Sequence, residues 1–394
     1  MRMRKATSAL VGLLLAGVAV TPAHADTIRS QQWHLDAMKA DEMWKISTGK
    51  GITVAVIDTG VDRIPELEGQ VLPGAVFPVG DAEGDKNNDY YGHGTGMAAM
   101  IAGTGKHPSG DGAYGLAPGA KILPIRVPNM LEGASTPSVV EAIRYAADSD
   151  AKVINISMGL PGKPEQDQAR AAAVKYALSK GKLIFAAVGN SGDTTNEVAY
   201  PAATPGVVGI SAVDANGMPT KESQNGPQID MAAPGIDIVS ACKGKTGLCK
   251  THGTSDATAL ASASAALLWA AHPDWTNNQV LRVLLNTAGK PTDGAERNDY
   301  VGYGVVRPRI ALPNPGDPGP ADVFPLPDLA AADAAAKSPA PGASADGKAA
   351  PTPAPRAGAA EKDGSLLPWL GIGLGACLLI GGAVTAVVVR RTNR

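Results

Sequence analysis

The sequence lacks a charge bias: 35 Lys and Arg face 37 Asp and Glu, a formal net charge of -2 over 394 residues. A nucleic-acid-binding chain normally shows a basic patch or stripe, so bulk charge supplies no reason to expect such a partner. Missing too are the CxxC and HExxH spacings that gather ligands around a metal, and no metal or other cofactor is expected. No LPxTG-like sorting motif occurs, which argues against covalent attachment to a cell wall. Cysteine is scarce, with three in the chain. Cys242 and Cys249 lie together in SACKGKTGLCK, where an oxidising compartment favours a small disulfide loop; two free thiols are the alternative. Cys377 falls in an apolar segment near the C-terminus and is expected to be unpaired.

What is present divides the chain by composition. MRMRK, an apolar run from Ala9 to Val20 and the small residues Ala23 and Ala25 read as a signal peptide, residues 1–25, cleaved after Ala25. An uncleaved anchor is the other reading, but the run is short for a bilayer of about 30 Å. Residues 26–313 are expected to form the globular domain, with a short N-terminal extension. Residues 314–364 are dominated by Pro, Ala, Gly, Asp and Lys and read as a linker that cannot bury a core of its own. No charged residue occurs from Leu366 to Val389, so residues 365–389 are expected to form a transmembrane helix. Residues 390–394, with Arg390, Arg391 and Arg394, mark the cytoplasmic side, which places the globular domain outside the cell.

Within residues 26–313 strand and helix patterns alternate. ITVAVID is a continuous apolar run ending at a carboxylate, as buried parallel strands do. From Ser138 to Ala147 a helical period places Val140, Ile143 and Ala147 on one face, and KVINISMG follows as a strand. DQARAAAVKYALSKG is a helix stopped by Gly181, before the strand KLIFAAVGN. Repeated βαβ units imply an α/β fold, a parallel sheet with helices on both faces. Sites in such sheets form beyond the carboxyl ends of strands, where Asp58, Asn190 and the segment Ser157, Met158, Gly159 fall.

Peptide hydrolysis needs a nucleophile, a base, a group to orient the base and donors for the developing oxyanion. Asp58 ends a strand in VIDTGVD, His93 sits among glycines in YGHGTGMAAMIAG, and Ser255 opens a long apolar helix in THGTSDATALASASAALLWAAHP. A serine there has the partial positive charge of a helix N-terminus and its N–H groups beside it. Singly, each reads as a turn, cap or local hydrogen-bonding residue; together they form one constellation. His34 and His252 pair with no nucleophile motif, and Asp230 and Asp237 read as ordinary loop carboxylates.

These motifs resemble the subtilisin-like serine peptidases, the subtilases, over about Trp33 to Ile310, including GLAPGAKILPIRV, NISMG, AAVGNSGD, AYPAATPGVVGISAV, MAAPG and GTSDATALASA. The Asp, His, Ser order belongs to that resemblance. It implies that Asp58 orients and stabilises the imidazolium and that His93 is base and then acid. Ser255 is then the nucleophile, and Asn190 shares the oxyanion hole with the Ser255 N–H. Ser157 to Gly159 resembles the edge that pairs with a substrate backbone as an added strand. The chain departs from the pattern at Gly96, Ala259 and Asp256, where subtilases commonly show His, Pro and an apolar residue. Asp256 is either a first-turn acid that favours the helix dipole or an electrostatic influence on His93. The short N-terminal extension, linker and span are similar to the mycosins, membrane-anchored subtilases that accompany type VII secretion systems. That resemblance implies an extracytoplasmic endopeptidase acting on secreted or envelope proteins, with secretion components of the membrane as partners. A structural subunit of the secretion complex is the alternative.

Overall fold

ITVAVID folds as the run of apolar residues dictates, into β1 (Thr53–Asp58) at the middle of a parallel sheet. Its alternate side chains serve two different cores. Val54 and Val56 pack on one side with Phe185 and Ile210, and Ala55 and Ile57 on the other with Ile143 and Ile184. Full burial of a side chain of this size contributes roughly 1.5–3 kcal/mol relative to exposure, which is why the buried positions from Val54 to Ile57 are all apolar. The computed structural model describes residues 27–77, 88–128, 136–163, 167–244 and 247–337. The expected signal peptide and membrane helix lie outside the described residues, and so does the linker beyond 337. Among the described residues no helix is long and apolar enough to cross a membrane.

The seven-stranded sheet runs β2 (Ala75–Val76), β3 (Lys121–Arg126), β1, β4 (Val153–Ile156), β6 (Leu183–Ala187), β8 (Val208–Val213) and β9 (Met231–Pro234). Every pairing is parallel. From β1 the chain crosses to the edge strand β2, returns through β3 beside β1 and then builds outward on the other side from β4 to β9, so β1 and β4 flank the crevice where open α/β sheets place their sites. Two antiparallel pairs stand apart, β5 (Leu160–Pro161) with β7 (Ala199–Tyr200), and β10 (Ile238–Ala241) with β11 (Leu248–Thr251).

Helices α5 (Thr136–Asp148) and α6 (Gln168–Ser179) cover one face of the sheet; α4 (His93–Ala102) and α7 (Thr254–Ala271) cover the other. The buried stripe of α5 is Val139, Ala142, Ile143, Ala146 and Ala147, which includes Ile143 and Ala147 of the expected face, while Val140 is half-buried at its margin. In α7 nearly every side chain from Thr254 to Trp269 is buried, the signature of a central helix with no solvent face. The helix α8 (Asn277–Asn286) starts at a capping box between Thr276 and Gln279.

Ahead of the sheet, α1 (Ile28–Gln31), α2 (Trp33–Ala37) and α3 (Ala40–Met43) are stitched to the domain. The buried Gln32 amide donates to the Tyr114 and Val239 carbonyls at 2.8 and 3.1 Å and accepts from the Tyr114 N–H at 3.0 Å.

Behind it, α9 (Pro308–Ala311) is followed by a segment that departs from the linker expectation. Residues 314–337 lie on the domain and end in α10 (Pro327–Lys337). Proline removes donors but leaves carbonyls, and α8 collects them: Arg282 Nη1 donates to the Pro318 and Pro320 carbonyls at 2.7 and 2.8 Å. The Gln279 amide donates to the Gly319 carbonyl at 3.0 Å, Leu326 is buried, and Asp328 accepts the Gly206 N–H at 2.7 Å. Composition counts apolar surface and so overlooks a segment held by its backbone oxygens.

Candidate active site

Asp58 is the last residue of β1 and is fully buried. Its Oδ1 accepts the Thr59 N–H at 2.7 Å and meets His93 Nδ1 at 2.7 Å. His93 is the first residue of α4, and the close crossing of that turn over β1 depends on the next residue, Gly94. A Cβ on Gly94 would stand 2.2 Å from the Gly60 carbonyl oxygen and 3.0 Å from the Asp58 Cβ. The carboxylate raises the imidazole pKa from 6.5 to about 9 against the opposing effect of burial, with smaller additions from Asp256 and Asp89. Since 40% of the His93 side chain is exposed, solvent screens part of this interaction.

Ser255 lies in the first turn of α7. Its hydroxyl donates to the Ser157 carbonyl at 2.9 Å, and the Ser157 hydroxyl returns a bond to the Ser255 carbonyl at 3.1 Å. Among the described residues the Ser255 hydroxyl is bonded to Ser157 and not to His93, so passing its proton to the imidazole requires a change of rotamer. The segment after β4 is itself fixed from within: the buried Asn155 amide donates to the Ser157 hydroxyl at 3.0 Å and accepts from Ser262 of α7 at 3.0 Å.

Asn190 follows β6, and its Oδ1 accepts both the N–H and the hydroxyl of Thr254 at 2.9 Å. Those two donors define the amide orientation, leaving Nδ2 as the group able to donate to a ligand. His93, Asn190, Ser255 and the segment Ser157, Met158, Gly159 line one cavity of about 490 Å³. Its further walls include Pro161, Ala187 and Ala199, so a carbonyl entering beside Ser255 meets polar groups on one side and apolar surface on the other.

Sequence reasoning missed Asp89. This fully buried carboxylate accepts from Thr59 Oγ1 at 2.8 Å and from the N–H groups of Tyr91 and Gly92 at 3.1 and 2.8 Å. Its other oxygen takes the N–H and hydroxyl of Thr95 at 2.8 and 2.7 Å, which caps α4 from three residues ahead of its N-cap. Asp89 thereby ties the Thr59 turn after β1 to the start of α4, the two places that present Asp58 and His93. The available signal was an acid shortly before a helix start.

Of the remaining residues, one departs from its expected role. Asp230 is no ordinary loop carboxylate: it accepts the Gly209 N–H at 2.8 Å, and burial pushes its pKa to about 8. His34 is 1% exposed, and burial followed by the Arg29 charge lowers its pKa to about 3. His252 Nδ1 lies 2.8 Å from a Glu222 oxygen, which raises its pKa. Cys242 and Cys249 are joined in a disulfide across β10 and β11 with Cα atoms 5.8 Å apart. Among the described residues no group of three or more His, Cys, Asp or Glu is placed to hold a metal ion.

The subtilase family profile matches residues 49–304. Subtilisin Savinase of Lederbergia lenta is 34% identical over 264 residues, covering 67% of this chain and 91% of its own. Mycosin-1 of Mycobacterium tuberculosis is 32% identical over 340 residues, covering 73% and 74%. The crystal structure of MycP1 from Mycobacterium smegmatis superposes with a TM-score of 0.66 at 31% identity, covering 77% of this chain and 89% of that one. A structure of the periplasmic assembly from the ESX-5 inner membrane complex gives 0.65 at 29% identity, covering 75% and 87%. A parallel sheet that brings Asp58, His93, Asn190 and Ser255 to one crevice, and this likeness across most of the domain, lead to one assignment: the chain belongs to the subtilase family and is a serine endopeptidase related to the mycosins.

Proposed function

We propose that Asp58, His93 and Ser255 are the catalytic triad of a membrane-tethered endopeptidase that processes secreted or envelope proteins at a type VII secretion system. The observation that carries the reading is the 2.7 Å contact between the buried Asp58 carboxylate and His93 Nδ1, on the rim of the cavity that Ser255 lines. Asp58 holds the imidazole in the tautomer whose Nε2 is free to take the Ser255 proton. Ser255 Oγ attacks the substrate carbonyl, and the oxyanion is met by Asn190 Nδ2 and the Ser255 N–H at the start of α7. His93 then passes the proton to the leaving amine, and water hydrolyses the acyl-enzyme. The segment Ser157 to Gly159 pairs with the substrate backbone as an added strand.

The test is labelling by a fluorophosphonate, which requires an activated serine. The wild-type protein is expected to be labelled, and Ser255→Ala, Asp58→Asn and His93→Ala to lose labelling and turnover while melting as cooperatively as wild type. Near-native turnover by Ser255→Ala would refute the assignment of the nucleophile.

The signal peptide over 1–25 and the span over 365–389 belong to the same proposal, which places the domain on the extracytoplasmic side of the cell membrane. A second role is supported by the similarity to a chain in the periplasmic assembly from the ESX-5 inner membrane complex. In that role the folded domain braces the complex whether or not it cleaves, and a tether gives it a high effective concentration beside its partners. Deleting the protein then impairs export, whereas Ser255→Ala spares export and blocks only processing.

A further inference from the structure

Asp256 is the residue immediately after Ser255 and the third of α7. An acid at this position ordinarily stays in water and favours the positive end of the helix. Asp256 is instead 2% exposed, and its Oδ2 accepts the Thr251 hydroxyl at 2.8 Å. Burying a carboxylate on one neutral hydrogen bond costs stability that a surface acid does not, so helix-start electrostatics alone leave its burial unexplained.

The groups around it are few and come from four places. Thr251 hydrogen-bonds it from the end of β11, Ser255 beside it lines one cavity with His93 at the start of α4, and the charges of His93, of His252 in the turn that follows β11 and of Glu222 in the loop between β8 and β9 act on it through space. His252 is committed to Glu222 through Nδ1 at 2.8 and 2.9 Å, and Asp237 beyond it pairs with Lys250 at 2.8 Å. His93 is the cation that belongs to the reaction, and it already meets Asp58, with Asp89 contributing a weaker field. We propose that Asp256 is a positioning residue of the triad, a second buried negative charge that acts on His93 and stabilises its imidazolium as the Ser255 proton arrives.

The electrostatics agree with the arrangement. Burial raises the Asp256 pKa to about 6, with the Thr251 hydroxyl and then His93 opposing, so the carboxylate is charged at neutral pH. Its charge in turn helps to raise His93. The base becomes stronger, and the pH at which it is neutral and ready rises. The inference rests on the reading of His93 as the general base.

The decisive variant is Asp256→Asn, which removes the charge and keeps an oxygen for Thr251. It is read by the pH dependence of kcat/KM on a short peptide amide with the full-length protein in detergent. Activity requires neutral His93, so it rises with pH through the His93 pKa. Losing a negative neighbour lowers that pKa, and the acidic limb of Asp256→Asn is expected to move down by roughly half to one pH unit. That is the size expected for one charge acting through space at an effective dielectric between about 20 and 80. The plateau is expected to fall several-fold, because the base is weaker. Thr251→Val withdraws the hydrogen bond that favours the charged carboxylate, so Asp256 is protonated over more of the pH range, the limb moves in the same direction by less, and the variant supplies the result should Asp256→Asn fail to fold. An acidic limb that coincides with wild type in an active, folded Asp256→Asn overturns the proposal and leaves a helix-start acid. Retained turnover by Ser255→Ala would instead overturn the triad reading beneath it.

Discussion

Gly253 immediately precedes α7, and a single methyl there tests the proposed oxyanion site from behind. Its backbone sits at φ 129° and ψ 175°, a conformation that L side chains rarely adopt, so Gly253→Ala costs about 1–3 kcal/mol in strain. The same methyl would stand 2.8 Å from Asn190 Nδ2 and 3.3 Å from its Cγ and Oδ1. The Asn190 amide is pinned by Thr254, so it must give way by several tenths of an ångström or break those bonds. The melting temperature is expected to fall by roughly 3–10 °C for a domain of this size. The larger effect is expected in kcat, which should fall at least about tenfold, toward the 100- to 1,000-fold loss known for removing this same donor in subtilisin, with KM nearly unchanged. Steady-state kinetics on a peptide substrate, run also in an Asn190→Ala background, separate strain from displacement. With the amide gone the methyl loses the three contacts nearest to it, so Gly253→Ala should change kcat little in that background. An equal drop in both backgrounds, or no drop in either, would refute the reasoning.

Two further outcomes follow from buried titratable groups. Asp89→Ala strands three backbone N–H groups and two hydroxyls between β1 and α4, and urea unfolding should show a loss of about 3–5 kcal/mol with kcat/KM falling alongside. Native stability with full activity would show that water replaces the carboxylate. His34 takes up a proton in the unfolded chain near pH 6.5 but in the folded protein only near pH 3. Stability is therefore full above about pH 6.5 and falls toward pH 3 by up to about 5 kcal/mol, at about 1.4 kcal/mol per unit. His34→Leu should flatten that slope in denaturant titrations at pH 4 and 7, and an unchanged slope would place the acid sensitivity elsewhere.

Much of the architecture was legible in the sequence because its signals are local. A strand buried on both faces reads as an unbroken apolar run, as in ITVAVID and KLIFAAVGN, and a helix end is punctuated by a residue such as Gly181. Asp58, His93, Asn190 and Ser255 were legible for the same reason, since each sits in a short glycine-rich turn whose chemistry is written in its neighbours. Where a polar side chain ends up was not legible. Asp89 and Asp256 look like solvated acids in the chain, yet Asp89 acquires Thr59 from 30 positions away and both are sealed from water. The segment from 314 to 337 looked too poor in apolar residues to dock, but Arg282 reaches it across 36 positions. Sequence by itself determined which segments become strands and helices, through periodicity and turn chemistry. Only the tertiary structure decided which carboxylates share His93, because burial and charge act through space at distances that depend on how the sheet and helices close around the site.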